Sequence, residues 1–291
     1  MFCHIESAIT HKLRAEDSVD RRQIEKAETF RKLHHSGKIL VLLNVWDAAS
    51  ARIFELAGAP AIATTSSGLA FSNGYPDGQR ISRDRLVAAV RAITRVVNIP
   101  VSVDLEAGYG ATPEEVRRTV AAVAEAGAIG MNIEDGSEPP ALLAGKISAI
   151  RGFASESGLP MFINARVDVY LRGIGAAENR LEETMRRIRM YADAGADGAF
   201  VPGLTDSAAI ATVARESPLP LNVMFLPRLP RAAELEKLGV ARLSIGGAGA
   251  LACMSHARRI AQELLESGIY DALLSSLAIS HGEAMKMFPA D

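Results

Sequence analysis

The feature that most constrains this chain is a repeated unit: a short apolar run, a longer segment of helical period, and often a small turn closed by Gly. The runs are ILVLLNV from Ile39, AIATT from Ala61, PVSVDLE from Pro100 and AIGMNIE from Ala128. They continue with PMFINAR from Pro160, DGAFVPG from Asp197, LPLNVMF from Leu219 and VARLSIGG from Val240. Several are apolar without alternation, as strands buried on both faces should be. The turns LAGAP at Leu56, EAGAI at Glu125, DAGADG at Asp193 and LGVA at Leu238 place Gly where a helix ends in the left-handed conformation. With no hairpin signal between units, the strands must run parallel and be joined by helical crossovers. Eight units predict a closed (β/α)8 TIM barrel, and 291 residues suit a fold that needs about 250. The spacing predicts one helix over Pro113 to Ala126, with Thr112 as N-cap and Pro at its first position. Two more are expected after the last strand, from about Ala248 to Ser267 and from about Ile269 to Phe288. Residues 1–22 read as an N-terminal extension, and 23–291 as a single barrel domain with C-terminal helices.

Composition narrows the class of partner. A formal net charge of -2 provides no field for nucleic acid or an anionic membrane. No apolar run reaches the roughly 18 residues of a membrane span, and the N-terminus is too charged for a signal peptide. Cys3 and Cys253 are isolated thiols, which suits a reducing cytoplasm. The expected partner is therefore a small molecule.

In such a barrel the site forms where strands end, so polar residues there carry the chemistry. The third strand ends Asp104-Leu105-Glu106 before Ala107-Gly108-Tyr109-Gly110. The fourth ends Asn132-Ile133-Glu134-Asp135, and the fifth gives Asn164, Arg166 and then Asp168. Residues two apart share a strand face, so the carboxylates of Asp104 and Glu106 can turn together into the mouth, and Asn132 and Glu134 repeat the device. Carboxylates crowded there repel unless a cation sits among them, and hard oxygen donors without a Cys or His cluster indicate Mg2+, with Mn2+ as an alternative. Arg166 offers a planar fork to a substrate carboxylate. The competing reading is a structural network, in which some of these acids, Asp135 and Asp168 above all, simply pair with arginine. After the second strand, Thr64-Thr65-Ser66-Ser67-Gly68-Leu69 can expose backbone N–H groups to a carboxylate or oxyanion.

These stretches carry a resemblance. NVWDAASARIFELAG, TTSSGL, YPDG, DLEAGYG, MNIEDG and INARVD occur in that order, and with ADAGADGAFVPG and PLNVM they span roughly Phe30 to Met254. The chain resembles the phosphoenolpyruvate mutase and isocitrate lyase superfamily. The resemblance implies a barrel whose eighth helix is exchanged between subunits, a dimer-of-dimers assembly, and Mg2+ in the mouth. It implies Asp104 on the metal, Glu106 and Glu134 acting through water, and Asp77 nearby. Ser67, Gly68 and Leu69 match the loop that holds the 2-oxo-carboxylate end, and Arg166 matches the arginine that meets the substrate. The activity implied is a Mg-dependent lyase reaction on a small 2-oxo or 2-hydroxy (di)carboxylic acid, by C–C cleavage or decarboxylation through a metal-stabilised enolate.

The departures define what is missing. The family's second acid is typically Asp followed by Thr, whereas here it is Glu106 followed by Ala107. The lyases carry a Lys-Lys-Cys-Gly-His type loop after the fourth strand; here Gly136-Ser137-Glu138-Pro139-Pro140 follows, with no Cys or His. The general acid or base is left open between Tyr109, Glu134 and a metal-bound water. P–C bond chemistry on phosphonopyruvate is the alternative reaction, and a non-catalytic 2-oxo-acid-binding protein the alternative class. Trp46 and Asn222 are candidate pocket-lining residues. Gly246-Gly247 lacks the strand context of a dinucleotide turn and reads as a packing turn or an anion contact. His34, His35, His256 and Cys253 read as packed or solvated.

Overall fold

The computed structural model describes residues 20–276 and 278–288. Most of the expected extension, with Cys3, lies outside the described residues. The strands are β1 Leu40–Val45, β2 Ile62–Thr64, β3 Val101–Asp104, β4 Gly130–Glu134, β5 Phe162–Arg166, β6 Gly198–Phe200, β7 Leu221–Met224 and β8 Arg242–Ser244. All pair in parallel in chain order, and β8 returns to β1 to close the barrel. Every expected apolar run holds one strand.

Helix α1, Arg21–His34, precedes β1. The crossovers are α2 Ala48–Leu56, α3 Ser66–Ser72, α4 Arg83–Val96, α5 Pro113–Glu125, α6 Pro140–Ser157, α7 Arg180–Asp193, α8 Ser207–Glu216 and α9 Ala232–Lys237; β8 is followed by α10 Ala248–Ser267. The α5 start is the expected one: Thr112 and Glu115 form a reciprocal capping box with Pro113 inside it. Gly58, Gly127, Gly195 and Gly239 follow the helices at positive φ, from 86° to 103°. The second C-terminal helix is not continuous but divides into α11 Asp271–Leu274 and α12 His281–Met287.

The α1 helix packs at the barrel's lower end. Phe30 meets the Phe162 ring edge-on at 5.4 Å, and His34 stacks on it at 4.1 Å. Gln23 Nε2 donates to the Ala124 and Ala128 carbonyls, and Arg31 pairs with Asp197 at 2.6 Å. The opposite, carboxyl end stays open for a site.

One sector lacks cover. Val41 is 40% exposed although it lies on β1, which pairs with β8. The helix that ought to lie there, α10, has Ala250 as its one buried residue, and Leu265 is 86% exposed.

Candidate active site

A cavity of about 170 Å³ occupies the carboxyl ends of the strands. Asn44, Asp104, Asn132 and Arg166 project into it from β1, β3, β4 and β5, and Asp77 and the first turn of α3 close one side. Leu171, Phe200 and Met224 form an apolar wall. Arg166 is the only basic residue among its lining.

Asp104 ends β3. Its Oδ2 accepts the Ser66 N–H at 3.3 Å, and its own N–H donates to Thr64 Oγ1 at 2.8 Å. Burial pushes its carboxyl above the usual range, against the pull of Arg166 and Ser66. Glu106 reaches the same region by another route than expected. The strand stops at Asp104, and Glu106 stands in a left-handed turn at φ 50°, so two-residue alternation is not what brings the pair together. Glu106 is held instead by the Gln79 N–H at 2.6 Å and the Tyr109 hydroxyl at 3.1 Å. Burial, then Asp104, pushes Glu106 up to about 7.

Glu134 and Arg166 are register partners on β4 and β5, joined by an ion pair at 2.6 Å. Burial pushes Glu134 up to about 7; Arg166 opposes the shift, while Asp104, Asp168 and Glu106 add to it. The Arg166 fork is not wholly free for a substrate. Its Nε and Nη2 donate to Asp168 at 2.6 and 3.1 Å, because Asp168, fully buried, sits two residues on. Five guanidinium N–H groups less these three contacts leave two for a ligand.

The loop after β2 is a helix start. Thr65 is the N-cap of α3, and Ser67 faces the cavity. Gly68 is buried behind it, where a Cβ would come within 2.7 Å of Trp46 and Thr65 side-chain carbons, so only Gly fits. Leu69 cannot hold a ligand: it is wholly buried, and its N–H is spent on the Thr65 carbonyl at 3.0 Å.

Two other expected lining residues lie elsewhere. Trp46 packs edge-on against Phe54 and close to Gly68 and Gly249, outside the cavity. Asn222 is buried one layer lower, its Nδ2 donating to Val223 and Arg242 carbonyls and to Ser244 Oγ. Tyr109 carries its phenol on Glu106, and burial together with that carboxylate holds it far above its ordinary range. That phenol stays protonated, so Tyr109 is not a base here. Asp77 is exposed at the cavity's edge, two residues before Gln79, whose Oε1 accepts the Tyr109 N–H at 2.8 Å.

The stretch after β4 is short, from Asp135 to Pro139. Pro140 already opens α6, Ser137 and Glu138 are exposed, and Lys146 Nζ donates to the Ala107 carbonyl at 2.7 Å. None of the three lines the cavity.

Sequence reasoning missed Asn44, Gln79 and Arg242. Asn44 Oδ1 accepts the N–H groups of Ile245 and Gly246, each at 2.9 Å, which fixes the Gly246–Gly247 turn beside the cavity. A polar residue inside an apolar strand run was the available signal for Asn44 and Arg242; Gln79 gave none.

Among the described residues, no three Asp, Glu, His or Cys side chains form a ready metal cage. A cation here would be held by one or two carboxylates and completed by water and ligand oxygens, which is the habit of Mg2+. The mutually raised carboxylates fit such an ion, because a positive charge among them relieves their repulsion.

The sequence profile of phosphoenolpyruvate phosphomutase matches residues 30–265. A Mycobacterium tuberculosis protein is 38% identical over 88% of this chain and 91% of its own length. An oxaloacetate decarboxylase of Bradyrhizobium is 29% identical over 91% of this chain and 94% of its own. The crystal structure of a Burkholderia cenocepacia protein described as a phosphonomutase superposes with a TM-score of 0.79 at 43% identity, covering 82% of this chain and 99% of that one. The chain belongs to the phosphoenolpyruvate phosphomutase family.

Proposed function

We propose that the chain is a Mg2+-dependent carbon–carbon lyase that acts on a small 2-oxo or 2-hydroxy dicarboxylate, with decarboxylation of an oxaloacetate-like acid the reaction that fits best. The observation that carries this reading is the Asp104–Glu106–Glu134 cluster beside a 170 Å³ cavity lined by one basic residue. The whole-length similarity to an oxaloacetate decarboxylase supports it. When bound, Mg2+ supplies an electrophilic centre for the substrate's carboxylate and adjacent oxygen.

Asp104 would hold the ion, aimed by the Ser66 N–H, with Glu106 and Glu134 acting through water and Asp77 nearby. The Ser67 hydroxyl and the first-turn N–H groups of α3 would meet one substrate carboxylate. The two uncommitted N–H groups of Arg166 meet the second. Leu171, Phe200 and Met224 would lie along the substrate's carbon chain. Decarboxylation also leaves an enolate that takes a proton at carbon, and it suits this site if water entering at the open mouth delivers that proton, with no acid required from the stretch after β4.

Turnover of a panel of 2-oxo and 2-hydroxy acids with Mg2+, with Mn2+ as a second ion, tests the reading. Oxaloacetate should be consumed, and EDTA should abolish the reaction. Isocitrate and methylisocitrate should be cleaved more slowly than by a Cys-bearing lyase by about 10²–10⁴-fold, the usual contribution of a placed general acid. Lyase-like rates on those tricarboxylates would defeat this reading. Phosphonopyruvate turnover would favour the P–C alternative, to which the similarity with a phosphonomutase points. Binding without any turnover would favour a sensor.

We also propose a homo-oligomer, a dimer or tetramer, in which α10 crosses to a second copy. The support is the bare sector at Val41 together with the unpartnered apolar side chains of α10. Light scattering at micromolar concentration giving 31 kDa would contradict it. No helix of the described residues is long and apolar enough to cross a membrane.

A further inference from the structure

Arg242 on β8 is the largest wholly buried side chain in the barrel, at 0% exposure. Ser244, two residues along the same strand face, lines the cavity, so Arg242 lies one layer beneath its floor, about 6–7 Å down. The guanidinium reaches from β8 to β4, where Nη2 donates to Asn132 Oδ1 at 3.3 Å. That oxygen also accepts Asn164 Nδ2 at 2.9 Å, and Asn132 itself lines the cavity. Arg242 Nε and Nη1 have no partner, and among the described residues no carboxylate closes an ion pair with the group.

A buried guanidinium without a counter-ion is a cost that an apolar side chain would avoid. Burial pulls Arg242 down to about 9, with Asp104 pushing back up, so it stays cationic at neutral pH. Arg166, by contrast, is matched by two carboxylates, Glu134 and Asp168. The uncompensated positive charge inside the barrel is therefore Arg242, not the arginine in the cavity wall.

We infer that Arg242 is a positioning residue that acts on the ligand from below: it holds Asn132 in the floor and supplies the positive field that favours a dianionic acid above it. The inference rests on the reading of the cavity as an acid site and names which charge makes that site anion-selective. An apolar side chain of similar length would fill the layer without the cost of the buried charge.

The test uses the full chain and oxalate, a planar dianion, as probe. Arg242→Met and Arg242→Gln should weaken oxalate binding in saturating Mg2+ tenfold or more, as expected for a charge acting across roughly 8 Å at an effective dielectric near 20. Affinity for Mg2+ alone, measured at pH 8, should be unchanged or tighter, because the charge removed repels a cation. The thermal midpoint should hold or rise, and Arg242→Lys should keep oxalate affinity within about threefold of the parent. Unchanged oxalate binding in the Met and Gln variants overturns the inference, as does a joint fall of oxalate affinity, Mg2+ affinity and thermal midpoint. Failure of the parent protein to bind oxalate with Mg2+ would instead overturn the reading of the cavity, and the inference with it.

Discussion

Glu134 and Asp135 are consecutive at the end of β4, and the two carboxylates live under opposite rules. Asp135 turns outward beneath α7, where Oδ2 accepts from Arg187 at 2.8 Å and Tyr191 at 2.7 Å and Oδ1 accepts the Asp168 N–H at 2.9 Å. Its charge is fully answered. Glu134 turns inward, toward Asp104 and Glu106, and shares Arg166 with Asp168. Carboxylates with dedicated donors fix the barrel's rim, whereas those facing one another are short of positive charge and await a cation. The reading of Asp135 and Asp168 as structural is supported by this geometry, and the metal reading narrows to the inner group.

The sharpest way to break this contrast is to remove one acid from each set. Asp104→Ala should lose at least about 10³-fold in Mg2+-dependent turnover, because the ion's several kcal/mol of charge stabilisation go with it. Its thermal midpoint in EDTA should stay within a few degrees of the parent. Full activity in this variant would remove the metal reading. Asp135→Asn should do the reverse, destabilising by about 3–5 kcal/mol, because an amide cannot accept from Arg187, Tyr191 and the Asp168 N–H together and leaves the buried Arg187 with Glu183 alone. That corresponds to a midpoint lower by roughly 6–20 °C, read by calorimetry, while the surviving folded protein keeps its Mg2+ affinity. If Asp135→Asn instead weakened Mg2+ and left the midpoint alone, the two sets would have been assigned the wrong way round.

A pH series sharpens the same contrast. Glu106 and Glu134 are raised from 4.5 to about 7 in the folded chain, so it binds their protons more tightly than the unfolded chain does. The stability this contributes is complete below about pH 4.5 and is lost as pH rises through about 7. The midpoint in EDTA should fall by several degrees between pH 5 and 8, and Mg2+ should restore more of it at pH 8 than at pH 6. A metal-free midpoint that rises over that interval would show these two carboxylates to be ordinary ones.

The smallest effect belongs to Tyr109. Its phenol donates to Glu106 and does not ionise, so Tyr109→Phe removes one hydrogen bond of about 0.5–1.5 kcal/mol. Turnover or Mg2+ affinity should fall by roughly tenfold at most. A loss comparable with that of Asp104→Ala would make Tyr109 a proton donor in the reaction rather than a support for Glu106.

The sequence was legible where one local rule applied. Eight apolar runs, the Thr112 cap and the glycines after the crossover helices each follow from hydrophobic period or backbone sterics, and together they specify a parallel barrel. Asp104, Glu134 and Arg166 drew notice in the sequence because charge at the end of a buried strand has no packing reason to be there. Leu69 was misjudged because TTSSGL looks like a loop, yet Thr65 starts a helix there and that helix buries Leu69. Trp46 and Asn222 were misplaced because position on a strand does not reveal which barrel layer a side chain fills.

What the sequence determined by itself was the repeat, its parallel connection and the acids at the strand ends, since these depend on residues close together in the chain. Only the tertiary structure decided how the charges pair. Arg166 finds Glu134 and Asp168, Asp135 finds Arg187 fifty-two residues away, and Arg242 is left alone beneath Asn132. Those outcomes depend on barrel closure and register, which set distances across the interior that no local pattern encodes, and burial then makes each pairing or missing partner matter.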